Sequence, residues 1–199
     1  MAKKVIAIDV DDVLANSTEA FRRVVNDHLN VNLLPEDYRI EADYDKYYEQ
    51  VWQQNGLGGK VNYTDFEPQM VEDQSHIQPH QDAQSVLGRL AKKYRLIIVT
   101  SRPATWRKAT DRWLEQHFPD LFSEVLFTDE TDGKSKGQLC KEYSAGWLID
   151  DNVGHAQSAI DAGLEVVLFG DYGWHHKVPA HFHRCKTWAL IEEYFDGRG

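Results

Sequence analysis

Cysteine is nearly missing from this chain: Cys140 and Cys185 are the only two in 199 residues, and neither belongs to a Cys-x-x-Cys pair. A disulfide framework is thereby excluded, and a reducing cytoplasm is the expected compartment. Basic residues are scarce beside acidic ones, 22 Lys and Arg against 32 Asp and Glu, for a formal net charge of −10. Nucleic-acid polymers and anionic membranes recruit proteins through clustered Lys and Arg, so neither is an expected partner. A small anionic substrate stays open, because it feels the field of its cleft rather than the net charge. No apolar run approaches the roughly 20 residues that span a bilayer. The short run Val5–Ile8 behind Lys3-Lys4 leads straight into acidic residues, without the longer apolar stretch and cleavage site of a secretory signal. It reads as a buried strand. A full Walker-type phosphate loop is lacking too, which argues against ATP-dependent kinase chemistry.

What the chain does have is a rhythm. Five short runs rich in Val, Ile and Leu recur at Lys4–Val10, Arg95–Thr100, Glu124–Thr128, Gly146–Asp150 and Glu165–Phe169. They alternate poorly between apolar and polar, as strands buried on both faces do. Helical spacing separates them. Ala83, Val86, Leu87 and Leu90 share one face, and Trp106, Ala109, Trp113 and Leu114 share another. Val153, Ala156 and Ile160 run to a glycine stop at Gly163, and Trp188, Ile191 and Phe195 mark a last helix. Strand alternating with helix predicts an α/β, Rossmann-like, doubly wound parallel sheet of about five strands.

One connection is far too long. A strand–helix–strand unit needs only about 30 residues, yet the first strand ends near Asp9 and the second begins near Arg95. The surplus predicts a mainly helical cap over residues 16–78, inserted into a core domain made of residues 1–15 and 79–199. Its first helix carries Phe21, Val24, Val25 and Leu29 on one face, with Ser17 or Thr18 as the expected cap. The remainder is acidic and aromatic: Tyr38, Tyr44, Tyr47, Tyr48, Trp52, Tyr63 and Phe66. Most of these rings are expected in the cap's own small core, with one or two free to stack on a base.

Useful chemistry collects at the carboxyl ends of the strands, where open α/β sheets bind ligands. Strand one ends in Asp9 and Asp11, strand two in Thr100 and Ser101, strand four in Asp150 and Asp151, and Lys136 opens the helix before strand four. Carboxylates converging on one pocket repel each other, so the site calls for a cation. Oxygen ligands select a hard ion, and Mg2+ suits a phosphate site. If the chain turns after Asp9, residues two apart present both carboxylates to one bound group. One attacks phosphorus; the other protonates the leaving oxygen and then activates water. Thr100 and Lys136 are placed to bind phosphoryl oxygens, with Ser101 and Arg102 as further phosphate contacts.

These pieces, in this order, resemble the haloacid-dehalogenase-like (HAD) phosphohydrolase superfamily. The resemblance rests on Ile8-Asp9-Val10-Asp11-Asp12-Val13-Leu14, Thr100 after an apolar strand, Lys136, and Asp150-Asp151 after Trp147-Leu148-Ile149. It implies Asp9 as nucleophile, Asp11 as acid/base, and Mg2+ held by Asp9, Asp11 (through its backbone carbonyl) and Asp151, with Asp150 beside it. Thr100-Ser101-Arg102-Pro103, Leu148-Ile149-Asp150-Asp151-Asn152 and the segment Val167–Trp174 are similar to the 5′(3′)-deoxyribonucleotidase branch. The implied substrate is a small phosphorylated molecule, a nucleoside monophosphate first, with a sugar phosphate or transfer to another acceptor as alternatives. Oligomeric state is left open.

Two other readings fit the pattern less well. A receiver-type signalling domain carries its phosphorylated Asp at the end of the third strand, where this chain has Phe127-Thr128-Asp129, and has no place for a long cap. A catalytically inactive relative would be expected to lack part of the set that is complete here. His175, His176, His181, His183 and Cys185 match no zinc spacing, and Cys140 shares an apolar face with Leu139 and Tyr143.

Overall fold

Successive residues of a strand point to opposite faces, so a run that is apolar throughout must be covered on both sides. The computed structural model, which describes residues 3–198, shows how this is met. Strands β1 (Val5–Ile8), β2 (Arg95–Thr100), β3 (Phe122–Phe127), β4 (Ala145–Asp150), β5 (Glu165–Phe169) and β6 (His183–Cys185) form one sheet in the order β3-β2-β1-β4-β5-β6. Every pairing is parallel. Ile6, Ile8, Leu96, Ile98, Ile149 and Val167 pack on one side against α4 (Ala83–Lys93), α5 (Arg107–His117) and α8 (Trp188–Asp196). Val5, Ala7, Ile97, Val99, Leu148 and Leu168 pack on the other against α6 (Lys136–Glu142) and α7 (Val153–Asp161).

The sheet has six strands rather than five. β6 carries no apolar run and buries only Cys185; its pairing with Val167–Phe169 of β5 makes it the sixth strand. Cys185 and Cys140 are both free thiols buried in the core.

Between β1 and α4 lie α1 (Ser17–Leu29), α2 (Tyr47–Gln54) and α3 (Glu67–Glu72), joined by short 3-10 turns. Phe21, Val25, Tyr38, Tyr47, Trp52 and Phe66 form a hydrophobic cluster of their own, whereas Met70 and Ile77 of the same stretch join the sheet's core. Ser17 and Thr18 do not cap α1. Asn16 holds the cap position without a side-chain bond, and the two hydroxyls turn instead to the acids before the helix. Ser17 Oγ donates to Asp11 at 2.5 Å and Thr18 Oγ1 to Asp12 at 2.8 Å.

Helices α6 and α7 touch at Gly137. A Cβ there would overlap the carbonyl oxygen of Ser158, so only glycine lets α6 lie this close. That contact sets the depth of Lys136, the first residue of the helix. Among the described residues no helix is long and apolar enough to cross a membrane.

Candidate active site

Because β1, β2 and β4 are neighbours, their carboxyl ends deliver residues to one place. Asp9 follows β1, Thr100 ends β2 and Asp150 ends β4; all three are buried. Lys136 lies between two of them, its Nζ 2.7 Å from Asp9 Oδ2 and 2.8 Å from Asp150 Oδ2. A buried ammonium is costly alone, and two carboxylates compensate it. Burial opposes the charge on Lys136, but Asp150 and Asp9 outweigh it and raise the pKa above the usual lysine range. For Asp150 the same contest runs the other way: burial pushes its carboxyl up, Lys136 and then His155 overcome that, and it is held down at about 2.

Asp9 is less well compensated. Burial raises it to about 6 against the pull of Lys136, with Asp150 and Asp11 adding repulsion. Its second oxygen, Oδ1, is buried without a hydrogen-bond partner among the described residues. His155 Nδ1 is likewise buried and unpartnered, 3.5 Å from Asp150 Oδ1. One ligand atom from each of Asp9, Asp150 and His155 lies within 4.8 Å of the other two. Asp151 is almost fully buried, and its carboxyl is driven well up by burial and then by Asp150, Asp9 and Asp12. Unpaired buried oxygens and mutually repelling acids are what a cation site presents before its ion arrives. The donors present therefore fit a divalent cation.

Asp11 belongs to a different pairing. Arg102 grips both of its oxygens, Nε to Oδ2 at 2.8 Å and Nη2 to Oδ1 at 2.7 Å. The guanidinium is itself fixed from behind, Nη1 donating to Gln74 Oε1 at 2.6 Å and to Thr110 Oγ1 at 3.0 Å. Burial would raise the Asp11 carboxyl, but Arg102 and then Ser17 hold it below the usual range. Arg102, expected among the phosphate contacts, is thus bound up with protein acceptors. Asp12 turns away from the sheet at φ 52°, where Asp is one of the few tolerated side chains, and bonds the start of α1. Thr100 Oγ1 accepts from the Arg102 backbone N–H at 3.2 Å. Ser101 is exposed, its Oγ 3.4 Å from His155 Nε2.

Above these residues opens a cavity of about 600 Å3. Asp9, Asp11, Thr100, Ser101, Arg102 and His155 line its floor, and Phe21, Tyr44, Tyr48, Trp52, Tyr63 and Trp174 its walls. Tyr44 and Tyr63 keep 47% and 43% of their surface exposed, so their rings are not committed to the core. Five of the six floor residues, Asp9, Asp11, Thr100, Ser101 and Arg102, were named from the sequence. Sequence reasoning missed His155, Gln74 and Thr110, none of which sits in a recognisable motif, and gave no role to Trp174 at the end of the Val167–Trp174 segment. His155 alone carried a signal, lying one helical turn beyond the Asp150-Asp151 pair.

A parallel sheet with this strand order, acids after β1 and β4, and a lysine before β4 is the architecture of the HAD-superfamily hydrolases. Residues 3–193 match the family described as 5′ nucleotidase, deoxy (Pyrimidine), cytosolic type C protein, and the chain belongs to that family. It is accordingly a phosphoric monoester hydrolase of the 5′-nucleotidase-like kind. No curated protein matches the sequence. Among solved structures, the fold is similar to the HAD-hydrolase YfnB from Bacillus subtilis bound to magnesium, with a TM-score of 0.64 at 13% identity, over 98% of this chain and 100% of that one. CbbY from Rhodobacter sphaeroides in complex with phosphate gives 0.59 at 19% identity, over 94% and 95%. A HAD-superfamily hydrolase of subfamily IA from Geobacter sulfurreducens gives 0.57 at 17%, over 99% and 97%.

Proposed function

We propose that this phosphatase is Mg2+-dependent, works through an aspartyl-phosphate on Asp9, and acts on a nucleoside monophosphate. The observation that carries this reading is the division of labour at Asp9: Lys136 holds Oδ2, while Oδ1 is buried with no partner among the described residues. A carboxylate fixed at one oxygen and unengaged at the other is placed to attack. Asp9, Asp150, Asp151 and His155, with the Asp11 carbonyl, would hold the cation. When bound, it would neutralise the acids and the phosphoryl oxygens and so favour nucleophilic attack.

In the first step an Asp9 oxygen bonds to phosphorus, the ester P–O bond breaks, and the leaving oxygen takes a proton from Asp11. Thr100 and Lys136 donate to the phosphoryl oxygens, with Ser101 at the rim. In the second, Asp11 takes a proton from water, the water oxygen bonds to phosphorus, and the Asp9–phosphorus bond breaks to release inorganic phosphate. Arg102 keeps Asp11 ionised in the free enzyme. The proton Asp11 gives the leaving oxygen is therefore one it takes up from solvent or from a monoanionic phosphate as the ester binds. Giving it up leaves Asp11 ionised for the base role. The arriving phosphate is a like charge that raises the proton affinity of Asp11 for the acid role. We assign Arg102 to holding Asp11 rather than to the phosphate.

Residues 16–78 serve in this reading as a cap on the core formed by residues 1–15 and 79–199. Support for a nucleotide comes from the aromatic walls, since exposed rings such as Tyr63 offer a base a stacking surface. The test is Mg2+-dependent phosphate release across nucleotides and sugar phosphates, with Asp9→Asn as control. Loss of activity in a folded Asp9→Asn protein, and a clear preference for nucleoside monophosphates, are expected. Turnover by Asp9→Asn would overturn the nucleophile, and a preference for sugar phosphates would overturn the substrate.

A further inference from the structure

The loop between β5 and β6 supplies no acid to the site, yet its side chains bond to backbone carbonyls in both acidic turns. Tyr172 donates its hydroxyl to the carbonyl of Asp12 at 2.5 Å. Trp174 Nε1 donates to the carbonyl of Asp151 at 3.2 Å, and His175 Nε2 donates to the same oxygen at 2.6 Å. The other side of this loop faces the insertion. The Trp174 indole stacks on Tyr172, centroids 4.5 Å apart and planes within 8°, and meets the edges of Tyr47 at 4.7 Å and Tyr44 at 5.5 Å. Trp174 is buried and belongs to the insertion's hydrophobic cluster, although it comes from the core's chain segment. Beside it, Gly173 admits the backbone of the insertion so closely that a Cβ would overlap the carbonyl oxygen of Ile40.

We infer that Trp174 is a positioning residue: its indole couples the seating of residues 40–47 to the placement of Asp151, so that the acid is aligned when the cavity is closed. The physical basis is the double use of one rigid side chain. Its ring is gripped by two tyrosines of the insertion, and its N–H is spent on the backbone of a site residue. A shift of the tyrosines therefore moves a donor to Asp151. Groups that orient ligating or reacting residues act through their bonds rather than by touching substrate, and their loss typically costs about 10–100-fold.

This rests on the phosphatase reading, and two variants separate the two claims. Trp174→Phe keeps an aromatic ring between the tyrosines but removes the N–H. Gly173→Ala keeps the indole but obstructs Ile40. Steady-state kinetics should be measured with a nucleoside monophosphate and with a small ester such as p-nitrophenyl phosphate, alongside hydrogen exchange of the metal-free protein. Trp174→Phe is expected to lower kcat about tenfold for both substrates with little change in KM. Gly173→Ala is expected to raise KM chiefly for the nucleotide. Both variants should speed exchange at residues 40–47 and, through the coupling, at residues 151–155. Normal kcat in Trp174→Phe overturns the role of the N–H. Faster exchange confined to 40–47 in both variants overturns the coupling, and equal loss on both substrates in both variants reduces the loop to a structural support. Exchange is read without turnover, so a wild-type protein inactive on every ester would refute the phosphatase reading while leaving the coupling to be decided by exchange alone.

Discussion

Arg102 and Asp11 form a two-pronged pair in which the cation is almost wholly enclosed and the anion is not: the side chains are 1% and 32% exposed. The carboxylate is clamped on the protein side and open on the cavity side. A bidentate fork fixes its plane as well as its distance, which a point charge does not.

Arg102→Lys is therefore expected to retain charge but lose alignment, lowering kcat by up to about 100-fold through misplacement of Asp11. KM for the substrate should change little. Steady-state kinetics decide the matter: a rise in KM matching the fall in kcat would return Arg102 to the phosphate.

The pairing also marks the limit of what the sequence could reveal. Asp9, Asp11, Thr100, Lys136, Asp150 and Asp151 were legible because each follows or precedes an apolar run whose register is fixed by burial. Where a strand ends, its last side chains have one place to go. Arg102 lies just past a strand end as well, but its partners Gln74 and Thr110 lie 28 and 8 residues away in irregular and helical positions. No periodicity links them. β6 was illegible for a related reason, being an edge strand with a single buried residue. The aromatic insertion could be recognised as having a core, but not which rings would be left facing the cavity.

If the enzyme is Mg2+-dependent as proposed, removing the cation should expose the repulsion among the acids. Asp9 and Asp12 are raised to about 6 and about 7, so the folded state prefers them protonated. Their contribution to stability is complete below the ordinary carboxylate pKa and is lost as pH rises through those values. Asp11 and Asp150 have depressed values, and their contribution is lost only when pH falls below the ordinary range. In EDTA, the melting temperature is expected to fall between about pH 5 and about pH 8. Added Mg2+ should raise it more at the upper end. Thermal unfolding with and without Mg2+ at both pH values checks this; an equal increment at the two would contradict it.

Gly137→Ala tests how tightly the lysine is set. The added methyl would meet backbone of α7 rather than a movable side chain, and overpacking of this kind costs about 1–3 kcal/mol. Urea denaturation should report that loss. Activity should fall with it, since the displaced turn carries Lys136.

Tyr63→Leu removes a half-exposed ring from the cavity wall without opening the core. If a base stacks there, about 1–3 kcal/mol of binding is lost, seen as roughly a tenfold or greater rise in KM for nucleotides and none for p-nitrophenyl phosphate. Equal effects on both would place the base elsewhere.

The bonds that pin the first acidic turn reach across nearly the whole chain. Tyr172 meets the Asp12 carbonyl from 160 residues downstream, and the Trp188 indole meets that of Val13 from 175. During synthesis the loop that follows Asp9 therefore emerges well before its ties and stays untethered until Tyr172 and Trp188 have left the ribosome. A nascent chain, or one truncated before Trp188, would carry every acid of the site and lack the ties that shape it. Hydrolytic competence is thus expected to appear only once the segment carrying Trp188 has been made.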